Sequence, residues 1–132
     1  MSAVLPADLA AGSVCYLETT GRITGRRRVI EIWFAASGDA IYLLSGGRDR
    51  AHWVRNLLRD PNVRVRIAGR TFAGRAEVIE GTDEDALARR LLAAKYQGWT
   101  DGAPLSSWAR RSLPVRIRLA ATEEDAGATP PG

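Results

Sequence analysis

Two short stretches of this chain concentrate residues suited to holding an anion. In Thr19-Thr20-Gly21-Arg22-Ile23-Thr24-Gly25-Arg26-Arg27-Arg28, four arginines fall within residues 22–28. Guanidinium forks match phosphate and carboxylate oxygens, and glycines let backbone amides come close to a ligand. In Ser45-Gly46-Gly47-Arg48-Asp49-Arg50-Ala51-His52-Trp53, a strand runs through a glycine pair into a helix N-terminus. Free amides and the helix dipole favour an anion there, and Arg48 and Arg50 add full charges. Neither stretch is a phosphate loop or a dinucleotide fingerprint. A Gly-Gly-Arg turn by itself fits a solvated hairpin end equally well.

The helix that follows sharpens the second stretch. Ala51, Val54, Leu57 and Leu58 form its apolar stripe, which leaves Trp53 and Asn56 together on another face, bordered by His52. These residues either cover a barrel end or line a site for a planar ring and a polar tail. Tyr96 and Trp99 sit in a glycine-containing stretch, where they either cap a pocket as an aromatic lid or pack against the barrel. Cys15 and His52 are the only cysteine and histidine, so an internal disulfide and a four-ligand Cys/His metal site are both excluded. Cys15 lies in an apolar stretch and reads as a core residue. No serine elbow is present, and the carboxylates near the basic stretches are Glu31 and Asp49. Hydrolysis by side chains is therefore disfavoured. Redox chemistry fits better, because there a cofactor carries the reactive atom and the protein supplies position and charge.

The formal charge of +4, nearly all from arginine, favours anionic partners. Arg64, Arg66, Arg116 and Arg118 take outward positions of two strands and read as a solvated sheet face. Nucleic acid is not an expected partner, since the aromatic ladder of a single-strand binder is missing. No apolar run approaches the roughly 20 residues that cross a bilayer. Residues 1–8 lack the basic start and apolar stretch of a signal peptide, so the cytoplasm is the expected location.

Period-two patterning positions these groups. Strands are expected over 13–20, 28–36, 40–45, 63–67, 72–80 and 114–120. Helices are expected over 51–59, from a capping-box-like Thr82-Asp83-Glu84-Asp85 to about Tyr96, and over 104–111. The expected fold is mainly β: a six-stranded antiparallel barrel with a few helices, one domain over 1–121 and a disordered tail over 122–132. Exposed strand edges offer a route to a homodimer.

The ordered series Thr19-Thr20-Gly21-Arg22-Ile23-Thr24-Gly25, Ser45-Gly46-Gly47, Trp53-Val54-Arg55-Asn56-Leu57 and Asp60-Pro61-Asn62-Val63 resembles the deazaflavin-dependent nitroreductase family over roughly residues 14–120. The resemblance implies a split β-barrel of the FMN-binding type and the hydride carrier coenzyme F420. FMN, FAD and haem are the alternatives in related barrels. Carried over by position, the cofactor contacts would be Arg22, Thr24, Arg28, Val29, Ile30, Glu31, Ile32, Trp33, Leu43, Leu44, Ser45, Gly46, His52, Trp53, Val54, Arg55 and Asn56. Ser45 would lie beside the ring and the substrate, and Trp99 at a substrate-side aromatic position. One departure is Ile23, where the family carries a lysine. The expected activity is hydride transfer from reduced F420 to a small acceptor such as a quinone, a nitro compound or an activated alkene. The alternative is a non-catalytic module that binds or stores F420, flavin or haem.

Overall fold

Alternating burial along the strands builds the core. The computed structural model describes residues 4–122. Its strands are β1 (Cys15–Thr20), β2 (Arg27–Ile32), β3 (Ala35–Ser37), β4 (Ala40–Ser45), β5 (Asn62–Ile67), β6 (Arg70–Val78) and β7 (Leu113–Thr122). Cys15 and Leu17 of β1, Val63, Val65 and Ile67 of β5, and Val115, Ile117 and Leu119 of β7 point into one cluster with Phe34, Leu43 and Phe72. The outward positions carry the arginines, and these are compensated. Arg64 lies 3.9 Å from Glu18, Arg66 sits over the Tyr16 ring, Arg116 pairs with Glu77 and Glu84, and Arg118 pairs with Asp39. The expected solvated sheet face therefore carries ion pairs at Arg64, Arg116 and Arg118 and a cation–π contact at Arg66.

The antiparallel sheet has the order β2-β1-β5-β6-β7-β4-β3. Its two edge strands are consecutive in the chain, so the sheet curls back on itself through Trp33 and Phe34. Seven strands stand where six were expected, because the segment 28–36 divides in two. The physical cause is a change of partner for one peptide unit. Tyr96 Oη accepts the Phe34 N–H at 3.0 Å, and Lys95 Nζ donates to the Phe34 carbonyl at 2.8 Å. The backbone of Phe34 is thereby satisfied by side chains rather than by a ladder, and the strand direction turns. A bulge near Gly74 bends β6 against β7; a Cβ at Gly74 would stand 2.5 Å from Ile117 Cγ2, so only glycine fits.

Among the described residues there are four α-helices, α1 (Ala7–Ala10), α2 (His52–Arg59), α3 (Asp85–Gln97) and α4 (Ser107–Arg111), and a 3-10 turn at Arg48–Arg50. Helix α3 covers the outer face of β4, where Ala40, Tyr42 and Leu44 meet Ala88 and Leu92, so β4 is buried on both faces. The tight start expected at Thr82 is not a capping box. Thr82 Oγ1 donates to the Ile79 carbonyl, and the Asp85 carboxylate accepts from the Gly81 amide and binds Arg89. Aspartate is one methylene shorter than the glutamate of a capping box, and here its carboxylate meets the Gly81 amide instead. In α2 the apolar stripe is Val54 and Leu57; Leu58, expected with them, is 59% exposed, and Asn56 is buried instead. No helix among the described residues is long and apolar enough to cross a membrane. The tail expected to be disordered lies, from residue 123 onward, outside the described residues.

Candidate functional site

The turn between β1 and β2 and the first turns of α2 form an arginine-lined groove of about 640 Å³. The turn is tight: the Gly21 N–H donates to the Arg26 carbonyl at 2.7 Å, and the Gly25 N–H to the Gly21 carbonyl at 2.8 Å. A Cβ at Gly21 would lie 3.0 Å from the Arg26 carbonyl oxygen, which explains the glycine. Asn56 ties this turn to α2. Its Oδ1 accepts from the Arg22 amide and from Arg22 Nη1, and its Nδ2 donates to Thr19 Oγ1 at 3.1 Å. Arg22 Nη2 approaches His52 Nδ1 at 3.2 Å. Arginine only donates, so this contact assigns the acceptor role to Nδ1 and the proton of neutral His52 to Nε2.

The electrostatics of the groove follow from what its arginines lack. Arg27 lies 3.5 Å from Glu18. Arg22 binds only neutral partners, and among the described residues no carboxylate lies within ion-pair distance of Arg22 or Arg28. Two positive charges therefore face the groove without an internal counter-ion, beside the apolar surfaces of Val29, Ile30 and Trp53. Such a groove is complementary to a ligand with an anionic part and a flat apolar part.

Strand β2 leads from this groove to a second hollow of about 460 Å³. Val29 and Ile30 line the first; Glu31, Ile32 and Trp33 line the second, with Val14, Leu44, Gln97 and Trp108. Its aromatic wall is built from behind. Trp33 stacks on Tyr96 with ring centroids 4.4 Å apart and planes 2° apart, and Trp108 meets Trp33 edge-on at 5.4 Å and 84°. Tyr96 cannot turn freely, because its hydroxyl accepts from Phe34 N–H and lies 2.8 Å from the Ser13 carbonyl. Burial raises the Tyr96 phenol pKa and lowers that of Lys95, whose Nζ sits 3.7 Å above the Phe34 ring. Trp108 is placed by α4, whose N-terminus is capped by Ser106 Oγ accepting from the Ala109 amide.

The structure thus divides the expected site residues. Arg22, Thr24, Arg28, Val29, Ile30, His52, Trp53 and Asn56 come together in the groove, and Glu31, Ile32, Trp33 and Leu44 in the aromatic hollow. Leu43 and Val54 are fully buried core residues, and Arg55 is exposed on α2. Gly46 is exposed, and a Cβ there would touch the Trp108 ring at 3.7 Å. Ser45 is buried, with its hydroxyl donating to the Arg48 carbonyl at 2.9 Å, so its proton is already committed. Trp99 lines a separate hollow with Thr82, Asp85 and Arg89, and its indole N–H donates to the Ala103 carbonyl.

The second arginine stretch does not add its charges to this groove, since neither Arg48 nor Arg50 lines it. Arg48 binds Glu80 and the Arg111 carbonyl instead, toward α3 and α4, because acceptors there satisfy its guanidinium. Cys15 is a buried core thiol, pushed up to about 12 by desolvation. Sequence reading missed Trp108, Gln97 and Val14. A tryptophan in a short helix gives no sign of which pocket it will wall.

The curled antiparallel sheet with a few helices is a split barrel, the class of fold to which the solved structures below also belong. Within that class the chain belongs to the F420H(2)-dependent quinone reductase family, whose family model matches residues 4–120. Among solved structures it is similar to a conserved hypothetical protein from Mycobacterium tuberculosis, at 22% identity over 92% of this chain and 84% of that one, with a TM-score of 0.73. It is similar to an F420 reductase at 18% identity, covering 92% of this chain and 99% of that one, with a TM-score of 0.63. The haem storage protein HutZ from Vibrio cholerae matches at 16% identity over 82% of each chain, with a TM-score of 0.62. At these identities the likeness concerns the fold.

Proposed function

We propose that the chain is an F420-dependent reductase that delivers a hydride to a small organic acceptor. The observation that carries this reading is the pair Arg22 and Arg28, both without a carboxylate partner, at one end of a path along β2 that ends in an aromatic hollow. The donor set suits the group: the Arg22 and Arg28 guanidinium groups for phosphate and carboxylate oxygens, and Val29, Ile30 and Trp53 for an apolar ring edge. When bound, reduced deazaflavin supplies a hydride, two electrons and a proton, to the electrophilic atom of the acceptor.

The chain's own residues bind and orient. Asn56 holds Arg22 in place, and Arg28 contributes charge from the first residues of β2. The walls of Ile32, Leu44, Trp33 and Trp108 give the hollow an apolar lining against which a flat acceptor can pack. With the Ser45 hydroxyl held by the Arg48 carbonyl, the second proton that completes a reduced quinone comes from solvent.

His52 supports F420 or a flavin over haem. Its Nδ1 is taken by Arg22 and its Nε2 carries the proton, so ligating iron would require breaking the Arg22 contact. The test is titration of the purified protein with F420, FMN and haem, followed by turnover of reduced F420 with quinone, nitro and enone acceptors. Failure to bind F420 at micromolar concentration refutes the reading. Binding of F420 without turnover of any acceptor converts it to a storage or carrier role.

A further inference from the structure

His52 is the one residue lining the groove whose side chain changes charge near neutral pH, and it is the only histidine of the chain. It is exposed, and its Nδ1 lies 3.2 Å from Arg22 Nη2. That contact exists only while Nδ1 offers a lone pair, because an arginine donates and never accepts. A protonated imidazole carries an N–H at both ring nitrogens. Taking up a proton therefore ends the contact and sets two cations side by side. Arg22 keeps its place, since Asn56 Oδ1 still holds Nη1 and the backbone amide. Only Nη2 is released, and its donors become available to a ligand in the groove.

What occupies the groove decides whether this exchange is favourable. Arg22, Arg27 and Arg28 line it with His52, and Arg55 and Arg59 are exposed on the same helix. The elements packed on α2 are β1, β6 and the 3-10 turn. Their acids do not line the groove: Glu18 is taken by Arg27, Glu77 by Arg116, and Asp49 is exposed in the turn. Of their bases, Arg48 is taken by Glu80 and Arg70 sits over the Phe72 ring, while Arg50 and Arg75 are exposed. With the groove empty, a proton on His52 stands against Arg22 and against the N-terminal end of the α2 dipole. With an anion in the groove, the same proton meets a counter-charge, and Arg22 Nη2 gains an acceptor in place of the imidazole.

We propose that His52 and Arg22 form a proton-linked gate on the groove: protonation of His52 transfers Arg22 Nη2 from the imidazole to the ligand, so anions bind more tightly as pH falls. By linkage, the anion promotes protonation of His52 by the same factor. The gate goes beyond the reductase reading and does not depend on it, because any anion that fits the groove reports it.

The probe is N-acetylated tri-glutamate, whose carboxylates stay ionised between about pH 5.5 and 8. Calorimetric titration of the full chain at low ionic strength is expected to show binding at least about fivefold tighter at the acid end of that range. The ratio should shrink at high salt. His52→Gln, a change at an exposed position, keeps a neutral acceptor beside Arg22 and should hold the weaker affinity throughout. The ring itself gives a second readout, since its ¹⁵N signals are those of the only imidazole. At the alkaline end they should show the proton on Nε2 and a bare Nδ1. At about pH 6.5, in the ordinary histidine range, adding tri-glutamate should raise the protonated fraction.

A neutral ring with its proton on Nδ1 overturns the proposal, because the contact with Arg22 then cannot exist. So do tri-glutamate affinities that match at the two ends of the range, an equal pH dependence in His52→Gln, and no tri-glutamate binding at either end. A pH-dependent tri-glutamate site without F420 binding leaves the gate standing and removes the reductase reading; F420 binding with no pH dependence for tri-glutamate does the reverse.

Discussion

The buried Asn56 Oδ1 accepts twice from Arg22, from its backbone N–H at 3.2 Å and from Nη1 at 2.9 Å. One side chain thus fixes both the turn that carries the arginine and the direction of its charge. Asn56→Leu leaves Arg22 N–H and the buried Thr19 hydroxyl without their partner. The expected loss is about 1–3 kcal/mol of stability, seen as a lower denaturant midpoint, together with weaker F420 binding. Asn56→Asp places a carboxylate against Arg22 instead; it should cut F420 affinity and flatten its salt dependence. Wild-type affinity in Asn56→Asp would show that the charge of Arg22 is not used.

Arginines in the groove and outside it should behave differently. Arg22→Ala is expected to weaken F420 binding about tenfold, and the more exposed Arg28→Ala roughly three- to tenfold. Both losses should shrink at high ionic strength. Arg48→Ala removes the contacts to Glu80 and the Arg111 carbonyl, so it should lower stability while leaving F420 affinity within about twofold. Fluorescence titration of F420 at two salt concentrations separates the cases.

Alkaline pH should expose the core thiol. Burial raises the Cys15 pKa from 9.0 to about 12, so between these values the unfolded chain releases a proton that the folded chain keeps. This contribution to stability is full below pH 9 and is lost as pH rises toward 12, with a slope of up to about 1.4 kcal/mol per pH unit. Lys95, whose pKa burial lowers, works in the opposite direction. Comparing Cys15→Ala with the wild type across pH 8–11 isolates the thiol: the variant's stability should fall less steeply. Matching slopes would mean that Cys15 ionises in the folded state.

Tyr96→Phe keeps the ring stacked on Trp33 but leaves the Phe34 N–H unpaired at the corner between β2 and β3. It should cost about 1–3 kcal/mol and loosen the aromatic hollow, raising KM for ring acceptors with little change in F420 affinity. Trp99→Phe, in the third hollow, should leave both quantities within about twofold. A large effect of Trp99→Phe on acceptor kinetics would contradict the placement described above.

What the chain's residues determined unaided is whatever depends on neighbours along it. The alternation in 63–67 and 114–120 places the core and outward arginines because side chains of an extended chain point to opposite faces at every step. The clustering of Arg22 and Arg28 in one turn, and of His52, Trp53 and Asn56 in one helical start, was legible for the same reason. What tertiary structure decided depends on partners far along the chain, from 32 residues for Arg48 and Glu80 to 62 for Phe34 and Tyr96. Asn56, on the face expected to line a site, is buried there because Thr19 and Arg22 satisfy its amide. Strand 28–36 broke in two because Lys95 and Tyr96 take the Phe34 backbone. Arg48 left the groove for Glu80, and Trp108 arrived at the aromatic hollow on a helix whose destination no local pattern records. Charge and periodicity are written residue by residue, whereas the pairing that neutralises one arginine and leaves another free exists only once the sheet has closed.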